Sequence, residues 1–406
     1  MSREYRYISG DSHLEIDSKY WLPRVAPQYR DRAPKVLHLP DGGDAWLIEG
    51  RPLRDVSADL YGGKGRDEWR PFGQSYETTA GTGPATQRIA EQDRDGIDAE
   101  VMFPGVSGPG MWSAISDRDA YLAVVRGYND FLAEDYCGVA PDRLIGLGVM
   151  PWTGVDDAIA EMEHCAKMGL KGVMLGTFPS GRGYPSPDDD RFWAAALDMQ
   201  MAVTAHEQFD RTGPRSGPHL KYPSASPEII AKIPELRDFC GQMVKFGRLG
   251  GVNAIQMVLD GVFDRFPDLK VFFAETQVGW IPFYLEMCDV RYNRHSLWAE
   301  ELLGFKPLKG LPSEYVREHC YWGFQHDFIG VQHLRHQVGV DRMLWAIDFP
   351  HQDSEWPNSM DLIRRMFDGV PADETRRMVA ENAIELFHLD GVAATPSQPR
   401  ETVQAR

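Results

Sequence analysis

The chain has 406 residues, 43% hydrophobic and 11% aromatic, which is enough apolar material for a large buried core. Its formal net charge of −17 argues against nucleic acid or an anionic membrane as a partner, because both bind basic surfaces. The sequence contains neither a signal-peptide pattern nor an apolar stretch long enough to span a bilayer, so we expect a cytoplasmic protein.

Eight short apolar runs follow one another along the chain, with amphipathic segments of helical periodicity between them. Alternating strands and helices imply parallel strands joined by right-handed crossovers. Eight such units predict an α/β fold, a closed (β/α)8 TIM barrel, in preference to an open sheet. The runs end at "YRYISGDSH", "DAEVMFP", "RLIGLGVMP", "LKGVMLGTF", "MAVTAHE", "LKVFFAET", "CYWGFQH" and "RMLWAIDFPH".

Two segments interrupt this alternation, one of about residues 17–95 after the first strand and one of about residues 209–226 after the fifth. Both follow the carboxyl end of a strand, where barrels carry their active sites, so we expect them to wall or cover a site. Residues 1–390 are predicted to form a single barrel domain, followed by a flexible tail over residues 391–406.

The first insertion contains several aromatic residues that admit two interpretations. They could wall a pocket for a bulky substrate, or they could simply anchor a long loop to the barrel. The second interpretation is at least as well founded, and the sequence does not choose between them. The residues are Trp46, Trp69, Phe72 and Tyr76, with Trp112 after the second strand.

Residues able to bind a metal ion stand at the ends of four predicted strands. Asp11 and His13 end the first strand and share a face, His206 ends the fifth, Glu275 the sixth and Asp348 the eighth. A lone histidine at a strand end is usually a packing residue, but carboxylates and imidazoles converging at one barrel mouth suit a divalent cation. The set therefore predicts a metal site that activates water or polarises a carbonyl group.

Two further histidines lie near this predicted mouth. His351 follows Asp348 by three residues, and its role as a direct ligand or as a partner of a ligand is left open. His326 follows the seventh strand and is a candidate ligand for a second metal ion or for substrate.

Several longer stretches resemble the amidohydrolase-related family, the branch of the amidohydrolase superfamily that includes aminocarboxymuconate-semialdehyde decarboxylase. They run through most of the chain in the expected order, and the "FPDLKV…GWIP" and "DFPH" elements are the most specific. The stretches are "YNDFLAEDYCGVAPDRLIGLGVMP", "MGLKGVMLG", "FDRFPDLKVFFAETQVGWIPFYLEMCD", "VGVDRMLWAIDFPHQDS" and "MVAENAIELFHL".

The resemblance implies a metal-dependent barrel and assigns roles to residues. The family's first-strand HxH motif falls on Asp11 and His13, its fifth-strand ligand on His206 and its eighth-strand aspartate on Asp348. Asp11 in place of histidine adds oxygen character, which favours iron or manganese without excluding zinc. Glu275 stands where many members carry a sixth-strand histidine that serves as ligand or general acid and base. One or two divalent ions of Fe, Zn or Mn are expected.

Three functions remain open at this point. We expect a hydrolase in which metal-activated water attacks a carbonyl group of a bulky small molecule, with Glu275, Asp348 or His351 handling the proton. The bond cleaved is left open among an ester, an amide, a thioester such as an acyl-CoA, and a C–C bond. The alternative is a metal-dependent, non-oxidative decarboxylase of an aromatic or unsaturated acid, and the third is an inactive barrel that only binds. Hydrolysis is preferred because residue 275 is not a histidine and because three carboxylates would repel an acidic substrate. A homodimer is expected, since barrels with such insertions often dimerise.

Overall fold

The computed structural model describes most of the chain, including all eight predicted barrel strands. Of the second insertion only Phe209 and Ser226 are described, so the prediction for residues 209–226 lies almost wholly outside the described part, as does the predicted tail 391–406. The described residues are 3–51, 53–57, 59–68, 70, 72–105, 108–207, 209, 226–227, 243 and 247–390.

Eight parallel strands form one sheet that curls into a nearly closed barrel, which confirms the predicted (β/α)8 architecture. Each strand neighbours the next one in the barrel, and every predicted apolar run contains one of them. The strands are β1 (Ile8–Leu14), β5 (Ala99–Pro104), β6 (Leu144–Val149), β7 (Gly172–Met174), β8 (Ala202–His206), β9 (Val271–Ala274), β10 (Cys320–Phe324) and β11 (Met343–Trp345).

The seam between the last and the first barrel strand closes through backbone hydrogen bonds just beyond β11. The Asp348 amide donates to the Asp11 carbonyl at 3.0 Å, and the His13 amide donates to the Phe349 carbonyl at 2.8 Å. The carboxyl ends of the first and eighth barrel strands are therefore neighbours, although more than 300 residues separate them in sequence.

Strand β1 contains one extra residue relative to its partner β5. Ile8 and Ser9 pair with Ala99 and Glu100, but Ser12 pairs with Met102, so three steps along β1 match two along β5. A bulge of this kind reverses the alternation of side chains beyond it. Ile8 belongs to the core cluster inside the barrel, and His13 also faces inward.

Helices lie between the barrel strands in sequence, as the amphipathic segments between the apolar runs predict. In the helix Val155–Lys167, Asp156 and Asp157 lie in the first turn, where the helix dipole favours acidic groups. Among the residues that the structure describes, no helix combines the length and apolar character needed to cross a membrane. Within the described part of the chain, the α-helices span Ala85–Asp95, Pro109–Trp112, Arg118–Asp130, Val155–Lys167, Asp190–Asp198, Arg248–Leu259, Val262–Arg265, Ile281–Leu303, Pro312–His319, Arg335–Val338, Ser359–Met366, Ala372–Arg376 and Asn382–Leu386.

The first insertion carries a small antiparallel sheet that the sequence did not predict, in the order β2 (Lys35–His38), β3 (Asp44–Leu47) and β4 (Arg54–Asp55). Its strands are only two to four residues long, too short to give a clear alternating pattern.

Aromatic side chains fix this insertion to the barrel. Trp21 packs on Trp46 and Trp112, with ring centroids 6.5 and 5.8 Å apart, and all three are buried. This packing favours the anchoring interpretation for Trp46 and Trp112, while Trp69 lies outside the described residues.

A buried ion pair fastens the helix Ala85–Asp95 to the barrel. The Arg88 guanidinium donates to Glu100 of β5 at 2.6 Å, and each side chain is 1% exposed. Arg88 also donates to the Phe349 carbonyl at 2.8 Å, beside the closing seam. The helix, the second barrel strand and the seam are thus held by one side chain.

Replacing Arg88 by Met should lower the free energy of unfolding by about 3–5 kcal/mol, because the Glu100 carboxylate would stay buried without its cation. Urea unfolding followed by circular dichroism measures this loss. The matched control is Arg118→Met, which removes a surface pair with Asp157 and should cost at most about 1 kcal/mol. A double variant carrying Arg88→Met and Glu100→Met should recover much of the loss, and equal losses for the Arg88 and Arg118 variants would contradict the assignment.

Candidate metal centre

Side chains from the carboxyl ends of several barrel strands converge at one mouth of the barrel. Asp11 and His13 come from β1, His206 is the last residue of β8, and Asp348 follows β11. One ligand atom from each of Asp11, His13 and His206 lies within 4.8 Å of the others, and all three residues are buried. The structure therefore brings together residues that the sequence placed on three different strands.

The separations between these donor atoms suit ligands that share a metal ion. His13 Nε2 lies 3.0 Å from His206 Nε2, 3.1 Å from Asp348 Oδ1 and 3.5 Å from Asp11 Oδ1. Ligands at about 2.0–2.2 Å from one ion lie roughly 3.0–3.5 Å apart in octahedral or tetrahedral geometry. Asp11, His13 and His206 form one ligand group, and Asp348 forms a second with His13 and His351. Imidazoles and carboxylates are donors that divalent transition metals accept. The residues present thus fit a divalent metal ion.

A backbone hydrogen bond fixes the orientation of the His13 ring. His13 Nδ1 lies 2.9 Å from the Pro104 carbonyl, which can only accept, so Nδ1 carries the proton and Nε2 keeps its lone pair. Burial, together with the nearby positive charge of His351, lowers the pKa of His13 below its usual value. A neutral ring with Nε2 facing the other donors is the form that binds a metal ion.

His351 lies between two carboxylates. Its Nδ1 is 3.0 Å from Asp348 Oδ1 and its Nε2 is 3.2 Å from Glu15 Oε1, while its ring stacks on His13 at 4.0 Å. Burial opposes its charged form, but the Asp348 and Glu15 carboxylates outweigh burial and raise the pKa of His351 to about 10. His351 also forms a possible ligand group with His13 and Asp348. Because both ring nitrogens already face carboxylates, we favour a protonated partner of a ligand over direct ligation.

Glu275 lies at the edge of the donor group. Its Oε2 is 3.4 Å from His206 Nε2, and its backbone adopts a left-handed conformation with φ of 56°. Asp348 has the same conformation, with φ of 55°. Non-glycine residues rarely adopt this conformation, and they concentrate at functional sites. Glu275 directly follows β9 and Asp348 lies three residues beyond β11, and the turn of the backbone at each position directs the side chain to the mouth.

His326 is not part of either ligand group. Its side chain is 38% exposed, its Nε2 lies 3.3 Å from the Asp353 carbonyl and its Nδ1 lies 3.8 Å from Glu355. His326 lies two residues beyond the end of β10, at the rim of the barrel. We therefore leave His326 out of the site proposed below.

Glu15 is not among the site residues predicted from sequence, although it alternates with Asp11 and His13 along the chain. It lies one residue beyond the end of β1, yet it is 3% exposed and its carboxylate reaches both His351 and Tyr76. A buried acidic residue so close to a metal-ligand motif is the signal that identifies it.

Comparison with known proteins links the chain to decarboxylases. The sequence model of a family described as Amidohydrolase matches residues 38–389. A 2-amino-3-carboxymuconate-6-semialdehyde decarboxylase of Dictyostelium discoideum is 25% identical over 65% of this chain and 66% of its own length. A gamma-resorcylate decarboxylase of Rhodococcus jostii (strain RHA1) is 24% identical over 73% of this chain and 85% of its own length.

The fold also matches that of a solved enzyme. A 5-carboxyvanillate decarboxylase from Novosphingobium aromaticivorans, in complex with manganese and 4-hydroxy-3-methoxy-5-nitrobenzoic acid, superposes with a TM-score of 0.63. The two share 19% identity, over 95% of this chain and 96% of that one. At this level of identity the match shows the fold.

The sequence-based preference for hydrolysis is wrong, because the curated relatives are decarboxylases. That preference rested on the missing histidine at position 275 and on repulsion between an acidic substrate and three carboxylates. The structure weakens both reasons, since His351 brings an imidazole to the site from another strand and the Asp11 and Asp348 carboxylates face histidines.

The matched residues cover most of the chain and include every barrel strand except the first. The chain therefore belongs to the amidohydrolase family, as an enzyme of the amidohydrolase superfamily.

Proposed function

We propose that this protein is a metal-dependent, non-oxidative decarboxylase of an aromatic or similarly unsaturated carboxylic acid. The named relatives that act on such acids support this substrate class. The observation that carries the proposal is His351, an imidazole pinned between Asp348 and Glu15 and stacked on the metal-site residue His13.

The proposed site holds one divalent ion. Asp11, His13, His206 and Asp348 would bind it, and it would supply Lewis-acid polarisation of substrate oxygen atoms. A single ion is favoured because both candidate ligand groups need His13, whose Nδ1 is already bonded to Pro104. Manganese is our first choice, since the carboxylate donors suit it and the solved 5-carboxyvanillate decarboxylase is in complex with it.

Residues of this chain transfer one proton to the substrate during the reaction. In the reaction, the bond between the carboxylate and its carbon breaks, its electron pair stays on that carbon, and a proton forms the new C–H bond as CO2 leaves. His351 and Asp348 share a hydrogen bond of 3.0 Å, so a proton on the imidazole can reach the substrate through the aspartate. Solvent then returns one proton to the pair, and the reaction needs no oxidant or reductant.

The site should bind metal through the residues named here. Purified protein reconstituted with Mn2+, Fe2+ or Zn2+ should retain about one equivalent, and His206→Ala or Asp11→Ala should lower retention about tenfold or more. Elemental analysis measures the content, and circular dichroism checks the fold. The matched control is His164→Ala, a histidine paired with Asp130 on the outer helices, which should keep the wild-type content. Equal metal content in all variants would overturn the assignment.

The wild-type enzyme should release CO2 from at least one member of a panel containing 2,6-dihydroxybenzoate, 5-carboxyvanillate and 2-amino-3-carboxymuconate-6-semialdehyde. In D2O, one deuterium should enter the product at the carbon that carried the carboxylate, because the proton comes from an exchangeable group. Mass spectrometry of the product and CO2 detection measure both events. Absence of CO2 with every acid, in protein shown to contain metal, would contradict the proposed function.

Removing the His351 imidazole should slow the reaction at the proton-transfer step. His351→Gln should lower kcat about 100-fold or more, the usual contribution of a positioned general acid. KM should change little if the metal-site residues bind the substrate carboxylate. The control is His326→Gln at the exposed rim, which should leave both constants near the wild-type values. An unchanged kcat in His351→Gln would assign the proton to another group, with Glu275 the next candidate.

A further inference from the structure

A chain of buried hydrogen bonds runs from the first insertion to His351. The Trp46 indole N–H donates to the Tyr76 hydroxyl at 2.7 Å, and that hydroxyl donates to Glu15 Oε2 at 3.3 Å. The other Glu15 oxygen lies 3.2 Å from His351 Nε2. Trp46, Tyr76 and Glu15 are each less than 5% exposed, so water does not compete for these bonds.

The chemistry of the donors and acceptors fixes the direction of each hydrogen bond in this series. An indole N–H can only donate, so the Tyr76 oxygen is its acceptor and the single hydroxyl hydrogen is left to point at Glu15. Glu15 thereby receives a hydrogen bond on one oxygen and holds His351 with the other. The position of the carboxylate depends on a side chain that lies outside the barrel strands.

Residues of the first insertion contact both the backbone amide and the ring of Tyr76. The Tyr76 amide donates to Asp44 Oδ2 at 2.9 Å, and its ring packs edge-on against Trp46 at 6.1 Å. Asp44 and Trp46 both belong to β3, the central strand of the small sheet. The small sheet therefore determines where the hydroxyl lies.

The barrel leaves a fitted space for the Glu15 carboxylate. A β-carbon at Gly105, directly after β5, would lie 2.6 Å from the Glu15 carboxyl carbon, closer than side chains tolerate. Glycine at this position thus allows the carboxylate to lie between Tyr76 and His351. The Glu15 carboxylate is therefore in contact with Tyr76 of the first insertion on one side and with Gly105, directly after the second barrel strand, on the other.

We infer that Tyr76 is a positioning residue for the reaction: through Glu15 it fixes the His351 ring at the angle needed for proton delivery. This inference rests on the proposed decarboxylase function and extends it to the first insertion. The insertion then has two roles, since it packs on the barrel and also sets the geometry of a group at the metal centre.

The test compares Tyr76→Phe with wild type on whichever acid of the panel the wild type decarboxylates. Loss of one hydrogen bond to a charged group should lower kcat about tenfold. KM and bound manganese should stay within about twofold of wild type, because the hydroxyl touches none of the proposed metal ligands. Gly105→Ala, which displaces the same carboxylate from the opposite side, should lower kcat in the same way and serves if Tyr76→Phe folds poorly.

The matched control is Tyr128→Phe. It removes a buried hydroxyl from the same aromatic group, on a ring whose centroid is 5.0 Å from that of Trp112, and this hydroxyl has no hydrogen-bond partner among the described residues. This variant should keep the wild-type kcat, which separates loss of positioning from general loosening of the insertion.

A second measurement reports on the hydrogen bonding of the His351 ring and does not depend on catalytic turnover. In 15N-histidine-labelled enzyme, the N–H signal lost in His351→Gln identifies the ring, and Tyr76→Phe should make that proton exchange faster with water. An active wild type with unchanged kcat and exchange in Tyr76→Phe would overturn the inference alone. A wild type inactive on the whole panel would overturn the proposed function, a result distinguishable from the first.

Discussion

Closure of the barrel between its first and last strands is the constraint on which the rest of the structure depends. Two backbone hydrogen bonds join Asp11 and His13 to Asp348 and Phe349, so the residues that carry the chemistry are also those that complete the sheet. Arg88 reinforces the seam by binding the Phe349 carbonyl while it pairs with Glu100. Stability and the geometry of the site therefore share the same few bonds, and loosening the seam would separate ligands that come from opposite ends of the chain.

Charge balance explains how so many acidic groups can be buried at one place. Asp11, Asp348, Glu15 and Glu275 all lie near the mouth, and each faces at least one imidazole nitrogen within 3.5 Å. Unpaired buried carboxylates are strongly unfavourable, whereas carboxylates that meet imidazolium or a cation are tolerated. The same arrangement separates two kinds of histidine: His13 is kept neutral for a metal ion, and His351 is kept protonated between two carboxylates.

The fold was largely predictable from sequence, and the site only partly. Most of the barrel strands are apolar runs buried on both faces, and such runs can be recognised from the sequence alone. Asp11, His13, His206 and Asp348 could be placed because strand ends share one side of a barrel. Glu15 and Tyr76 could not, since one lies past the strand and the other depends on how an irregular insertion packs. His326 lies outside the ligand groups because its position, two residues beyond the end of β10, places it at the rim. Hydrolysis was preferred because residue 275 is not a histidine and because three carboxylates would repel an acidic substrate, and neither reason took account of how His351 lies between Asp348 and Glu15.

The bulge in β1 means that the site is encoded by a count of residues as well as by their identities. One additional residue between Ser9 and Ser12 lets Ile8 fill the barrel interior and still turns His13 inward at the mouth. A chain one residue shorter there could keep every ligand and every hydrophobic residue, yet would direct the histidine to the outer face. Substitution scanning samples side chains at fixed length and would never reveal this requirement. Single-residue insertions and deletions in the first strand change which side chains face the barrel interior. Only one of the two alternations directs His13 to the metal centre.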